Sequence, residues 1–229
     1  MPRALILAAG RGERMRPLTD TVPKPLLALA GRPLIEWQVE RLVAGGFTEL
    51  VVNHSHLGAM IEAALGDGRR FGARIRYSHE ARALETAGGV AQALPLLGEE
   101  PFVVVSADIH TAFDYASLRR RGEAIARSPQ AQAAHFVLVD NPRWHAGGDM
   151  GLEGGRVTRA GPMLTYGNIA VFHPGLFRDI APGGVLKLFP WAYRFVDEGR
   201  VTGEHFRGPW DNLGTPGQLA ELDRRLAPP

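Results

Sequence analysis

Four short strand-like runs, Arg3–Ala9, Glu49–Asn53, Arg74–Ser78 and Phe102–Ala107, punctuate the first half of the chain, with helical patterns between them; the first and last are strongly apolar. Pro33–Ala44 opens on a proline, ends at Gly45-Gly46 and carries Ile35, Val39, Leu42 and Val43 on one stripe. Leu57–Leu65 stops at Gly66-Asp67-Gly68, and Ala87–Leu97 is interrupted by Pro95. Tyr115–Ala126 and Ala134–Val139 continue the alternation. Strands separated by helices of this length can join as parallel neighbours through crossovers, which place the helices on the sheet faces. The second half changes character. Five glycines break residues 143–160 into hairpin-like pieces, 165–172 is a further strand, and helices at about 186–198 and 215–226 close the chain. The expected fold class is α/β: a Rossmann-like, mostly parallel mixed sheet flanked by helices, with a small antiparallel appendage. One domain is expected over residues 1–229.

Composition removes whole classes of chemistry. The chain has no cysteine, which excludes disulfides, thiolate metal sites and a cysteine nucleophile and suits a reducing cytoplasm. Ala4–Ala9 is too short for a signal-peptide core, and no apolar run reaches the length of a membrane span. A formal net charge of +2 is too small to argue for nucleic-acid binding. A basic excess is local: Arg11, Arg14, Arg16 and Lys24 face only Glu13 and Asp20 within residues 10–24.

In sheets of this kind ligands lie beyond the carboxyl ends of the strands. The turn after the first run reads Ala8-Ala9-Gly10-Arg11-Gly12-Glu13-Arg14-Met15-Arg16, and Pro23-Lys24-Pro25 follows. Gly10 and Gly12 admit close approach of a ligand to the backbone, whose N–H groups can hold an anion. The arginines add forked donors suited to phosphate oxygens, and the prolines restrict the backbone that aims Lys24. No Gly-Lys-Ser/Thr follows, so this is not a Walker A loop, and the third glycine of the dinucleotide fingerprint is missing. Asp108 closes the fourth run and puts a carboxylate at the ligand-bearing edge; taken alone it also reads as a turn or cap residue.

The string LAAGRGERMRPLT…PKPL resembles the signature of the sugar-1-phosphate nucleotidyltransferase family. The resemblance continues through Glu85-Thr86-Ala87-Gly88-Gly89, Ala107-Asp108 and Trp210…Gly214-Thr215-Pro216, and so covers nearly the whole chain. It implies a nucleotidyltransferase fold with a nucleotide part over about 1–112 and a sugar part over about 113–229. It also implies Mg2+-dependent joining of a nucleoside triphosphate to a sugar 1-phosphate with loss of pyrophosphate. Arg14 matches the family's catalytic arginine and Lys24 the lysine on the α-phosphate, while Ala8, Gly10, Arg11, Gly12 and Glu13 would cradle the triphosphate. Asp108 would ligate the metal. The second metal position usually holds Asp; here it is Asn212, which brings a neutral carbonyl oxygen, and the adjacent Asp211 could replace it only if the backbone turned there.

Glu80 and Gly88 fall in the stretch that resembles the base-reading loop, where Glu80 could accept from a pyrimidine N3–H or be a solvated carboxylate. Asn141, Asp149, Asn168 and Lys187 are the sugar-side candidates; each alone also reads as a turn or surface residue. The finer likeness is to short bacterial forms, which implies UTP and N-acetylmuramate 1-phosphate as substrates. Other pairs stay open: mannose or heptose 1-phosphate with GTP, glucose 1-phosphate with dTTP, or phosphocholine with CTP. Asn212 also motivates a non-catalytic nucleotide sensor.

Overall fold

In the computed structural model, which describes residues 2–227, the first four strand-like runs become parallel strands. They are β1 (Arg3–Leu7), β2 (Glu49–His54), β3 (Arg74–His79) and β4 (Phe102–Ser106), ordered β3-β2-β1-β4. α1 (Leu34–Ala44), α2 (Gly58–Leu65) and α3 (Glu85–Leu97) connect them. The chain continues through β5 (Ile109–Thr111), α4 (Ser117–Arg127), β6 (Ala134–Val139), β7 (Met150–Glu153), β8 (Arg156–Thr158) and β9 (Met163–Phe172). It ends with α5 (Leu188–Trp191), α6 (Tyr193–Asp197), β10 (Val201–Phe206), β11 (Trp210–Asn212) and α7 (Pro216–Leu226).

The main sheet has nine strands in the order β3-β2-β1-β4-β9-β6-β10-β8-β7. β9 runs antiparallel to both β4 and β6, so β6 points the same way as β1 and β4. The carboxyl ends of β1, β2, β3, β4 and β6 therefore share one edge with the start of β9. β5 and β11 pair separately, beside that edge.

Both faces of the central strands are covered, which is why they read as continuous apolar runs rather than alternating ones. Ala4, Ile6, Val52, Val103 and Val105 pack against Ile35, Val39 and Leu42 of α1 and Leu118 of α4. Leu5, Val51 and Val104 face the opposite way, against Ala87, Val90 and Ala93 of α3. A third cluster joins Leu219 and Leu222 of α7 to Met15, Leu29 and Leu34, so the last helix clamps the N-terminal loop.

Three departures from the sequence reading have local causes. The helix expected at about 186–198 is two short pieces that part at Ala192, and the first is kinked because Pro190 disfavours helical geometry at Phe189, which is extended (φ −110°, ψ 137°). β10, unanticipated, is built of half-buried residues around Gly203 and takes its strand conformation from parallel pairing with β6. β1 ends at Leu7 instead of Ala9, because the Ala8 N–H leaves the ladder and donates to Asn53 Oδ1 (2.8 Å). Among the described residues no helix is long and apolar enough to cross a membrane.

Candidate active site

A cleft of about 460 Å³ opens at the carboxyl edge, between the loop after β1, the loop after β3 and the end of β4. The N-terminal loop is held from within. Gly12 adopts φ +72°, and a Cβ there would sit 3.0 Å from Thr19 Cγ2 and 3.2 Å from Lys24 Cβ, so close packing as well as conformation demands glycine. Its carbonyl accepts from the Thr19 hydroxyl (2.9 Å) and the Met15 N–H (2.9 Å). Gly10, by contrast, faces open space.

The three loop arginines have different fates. Arg11 donates to the Thr19 carbonyl (2.7 Å) and Asp20 Oδ1 (2.9 Å). Arg16 Nε lies 3.2 Å from both Glu13 Oε2 and Asp20 Oδ1, which turns the Glu13 carboxylate toward Arg16. Arg14 has no hydrogen bond or ion pair among the described residues. Its guanidinium crosses Gly214, where a Cβ would lie 3.0 Å from Nη2. An unpaired guanidinium on the rim of the cleft is available to an anionic group that enters it.

Lys24 Nζ donates to Asp108 Oδ2, within the cleft. Next to them the β5–β11 ribbon sets Asn212 opposite Ile109, and the Leu213 N–H donates to the Asp108 carbonyl (2.9 Å). Asn212 Oδ1 is buried without a hydrogen-bond partner among the described residues. A buried oxygen in that condition points to a missing water or ion. The neighbouring Asp211 carboxylate is engaged by Arg225 and does not replace it. Among the described residues no three His, Cys, Asp or Glu groups gather as a metal cage. One carboxylate and one amide oxygen suit Mg2+, which binds few protein ligands and completes its shell with water and substrate phosphate.

The base end of the cleft rests on a buried relay. Asn53 Oδ1 accepts from the Ala8 N–H, Asn53 Nδ2 donates to Glu80 Oε1 (2.6 Å), and the Leu84 N–H donates to Glu80 Oε2 (2.8 Å). Both side chains are only 2% exposed. Burial pushes the Glu80 carboxyl above its usual range, with the Leu84 N–H, Asn53 and His79 pulling the other way. Glu85 lines the cleft with φ +62°, an uncommon conformation for a non-glycine residue and one that concentrates at functional sites. Gly88 lies away from the lining: its N–H donates to the Leu186 carbonyl (3.1 Å), and a Cβ would lie 2.2 Å from the Gly184 carbonyl oxygen.

The sugar-side candidates share the same sheet edge, beyond β6 and at the start of β9. Asn141 donates to the Ala146 (3.1 Å) and Met163 (2.9 Å) carbonyls and accepts from Thr165 Oγ1 (2.8 Å). Asp149 pairs with His145 Nε2 (2.9 Å) and accepts from the Tyr166 N–H (2.8 Å). Asn168 takes φ +57° where the β9–β6 register breaks between Tyr166 and Ala170. Lys187 is exposed, just ahead of α5, and has no bonded partner among the described residues. Asn53 and Gly214 are among the cleft-lining residues that sequence reasoning gave no role. Asn53 carried a signal: it closes the apolar run Leu50-Val51-Val52 as Asp108 closes the run Phe102–Ala107.

The geometry is that of a phosphate-handling α/β transferase, and residues 3–148 match the family model described as Nucleotidyl transferase. The chain belongs to the nucleotidyl transferase family and is an enzyme of that class. It is 46% identical, over 96% of its length and 96% of the relative's, to the N-acetylmuramate alpha-1-phosphate uridylyltransferase of Neisseria meningitidis serogroup B. It is 34% identical to the protein of the same name from Caulobacter vibrioides, over 98% of this chain and 96% of that one. HddC from Yersinia pseudotuberculosis, solved with GMP-PN, shares the fold at a TM-score of 0.77 and 16% identity, over 99% of this chain and 100% of that one.

Proposed function

We propose that this enzyme transfers UMP from UTP to N-acetylmuramate 1-phosphate, giving UDP-N-acetylmuramate and pyrophosphate, as a cytoplasmic step of peptidoglycan recycling. The choice of substrates rests on the two uridylyltransferase relatives. The chemistry rests on one observation: an Arg14 guanidinium with no partner among the described residues, at the cleft that also holds Lys24 against Asp108. A phosphate oxygen of the sugar phosphate attacks the α-phosphorus in line. The bond to the bridging oxygen breaks, and pyrophosphate leaves with that electron pair.

In this reading Arg14 meets the charge that grows on the leaving pyrophosphate, and Lys24 draws the α-phosphate and the incoming phosphate together. Ala8, Gly10, Arg11, Gly12 and Glu13 form the wall against the triphosphate. The segment from Glu80 to Thr86 forms the base end. Asp108 and the Asn212 amide oxygen would hold Mg2+, which when bound screens the phosphate charges. Asn141, Asp149, Asn168 and Lys187 lie on the sugar side, so the division of labour falls near residue 112. A panel of triphosphates and sugar 1-phosphates, read by pyrophosphate release, tests the proposal. Fastest release with UTP and N-acetylmuramate 1-phosphate is expected; preference for another pair overturns the substrates, and no release with any pair overturns the reaction.

A further inference from the structure

The buried relay joins the two loops that a nucleotide must touch at once. Ala8 opens the phosphate loop, Leu84 begins the segment that carries Glu85 and Thr86 into the cleft, and only two side chains lie between their N–H groups. The polarity of the relay is forced from both ends. A backbone N–H can only donate, so Asn53 must turn its oxygen to Ala8 and its nitrogen to Glu80, and Glu80 must accept at both carboxylate oxygens. Glutamine at position 80 would set a donor against a donor. Aspartate at position 53 would set carboxylate against carboxylate. The space is closed as well: a Cβ at Gly89 would lie 2.6 Å from Glu80 Oε1 and 2.7 Å from Asn53 Nδ2.

We infer that Asn53 and Glu80 are positioning residues for the nucleotide: together they fix the spacing of the base loop from the phosphate loop, with Glu80 acting through Leu84. This deepens the nucleotidyl-transfer reading and rests on it. The hydrogen-bond logic has a consequence that simple damage to the fold would not. With Asn53→Asp and Glu80→Gln combined, the new carboxylate accepts from Ala8 and from the glutamine amide, and the glutamine oxygen accepts from Leu84. All three bonds return.

The test compares wild type, Asn53→Asp, Glu80→Gln and the double variant in kcat and in KM for each substrate, with thermal unfolding alongside. Each single variant is expected to raise KM for UTP about tenfold or more, through an unmet buried donor or an acceptor pair, with KM for the sugar phosphate little changed. Asn53→Asp should recover as pH falls, when the two carboxyl groups share a proton. The double variant should return to within about threefold of wild type. A double variant as weak as Glu80→Gln overturns the inference and makes Glu80 a direct base contact. Unchanged KM for UTP in folded single variants also overturns it. If a single variant does not fold, Gly89→Ala stands in: its KM for UTP rises if the relay positions the nucleotide, and an unchanged value refutes the idea. A wild type that turns over no substrate pair sinks the functional reading alone. The relay is then read as UTP affinity by calorimetry, where the same pattern is expected and absence of any UTP binding overturns it.

Discussion

Lys24 and Asp108, 84 residues apart in sequence, form an ion pair across the cleft, the lysine ammonium donating to the carboxylate Oδ2. Under the proposed function the pair would hold the cation for phosphate against the anion for metal, each screening the other until substrate arrives. Asp108→Ala should cut pyrophosphate release by about 100-fold or more, with Lys24→Met similarly impaired. Their side chains are 12% and 28% exposed, which limits the pair's contribution to stability to about 1 kcal/mol after screening. Unfolding temperatures should therefore fall by only about 2–4 °C, and calorimetry beside the kinetic assay separates the two effects.

Asn212 tests the metal assignment from the other side. Asn212→Asp adds a charge beside Asp108 and should lower the Mg2+ concentration needed for half-maximal rate, while keeping or raising kcat. Asn212→Leu removes the unpartnered buried oxygen, so the metal-free protein should be as stable as wild type or more so, while the Mg2+ requirement rises. A Mg2+ titration that is identical in all three proteins would remove Asn212 from the metal site.

Arg14 and Arg11 should separate cleanly. Arg14→Ala touches no bond within the described chain and should reduce kcat about 100-fold with thermal stability unchanged. Arg14→Lys should recover only part of that loss, because an ammonium lacks the guanidinium fork. Arg11→Ala removes the links to Thr19 and Asp20 and should lower stability by about 1 kcal/mol as well as activity. Equal unfolding temperatures for Arg11→Ala and wild type would contradict this division.

The pH dependence of stability should carry a signature from His135 and Glu204. His135 is buried between Thr202 Oγ1 (2.8 Å) and Glu204 Oε1 (3.0 Å). Burial holds its imidazole below the usual histidine range, and the hydrogen bond from His135 holds the Glu204 carboxyl below the usual carboxylate range. Both folded values are depressed, so in each window the unfolded chain binds more protons. The histidine contribution is complete above about pH 6.5 and is lost as pH falls through its folded value; the carboxylate contribution is lost at more acidic pH. Unfolding temperature should fall on acidification below about pH 6.5, and His135→Gln should flatten that first part of the curve.

The sheet was legible because its signals are local. Ile35, Val39 and Leu42 announce α1 by spacing alone, and the runs at residues 3–9, 49–53, 74–78 and 102–107 announce the strands to within about two residues. Asp108 and the glycine loop were legible for a related reason: strand ends and glycine turns are punctuation. β10 was not, since Gly203 and Glu204 interrupt a six-residue run whose strand conformation rests on parallel pairing with β6. Asn141 shows the limit at the site. Its position after a strand suggests a pocket residue, while the hydrogen bonds that tie it to Ala146, Met163 and Thr165 emerge only when its loop folds back and meets β9.

The sequence by itself determined the α/β class, the glycine- and arginine-rich loop after β1, and the strand-end carboxylate. These follow from periodicity, glycine and charge within a few neighbouring residues. Only the tertiary structure decided that Arg14 is free among the described residues while Arg11 and Arg16 are engaged. It also turned Asp211 toward Arg225, left the Asn212 oxygen bare, and linked Ala8 to Leu84 through Asn53 and Glu80. The physical reason is that hydrogen-bond and ion-pair choice depends on distance in space. Strand pairing and the clamp of α7 on the N-terminal loop set those distances among segments that no local pattern relates.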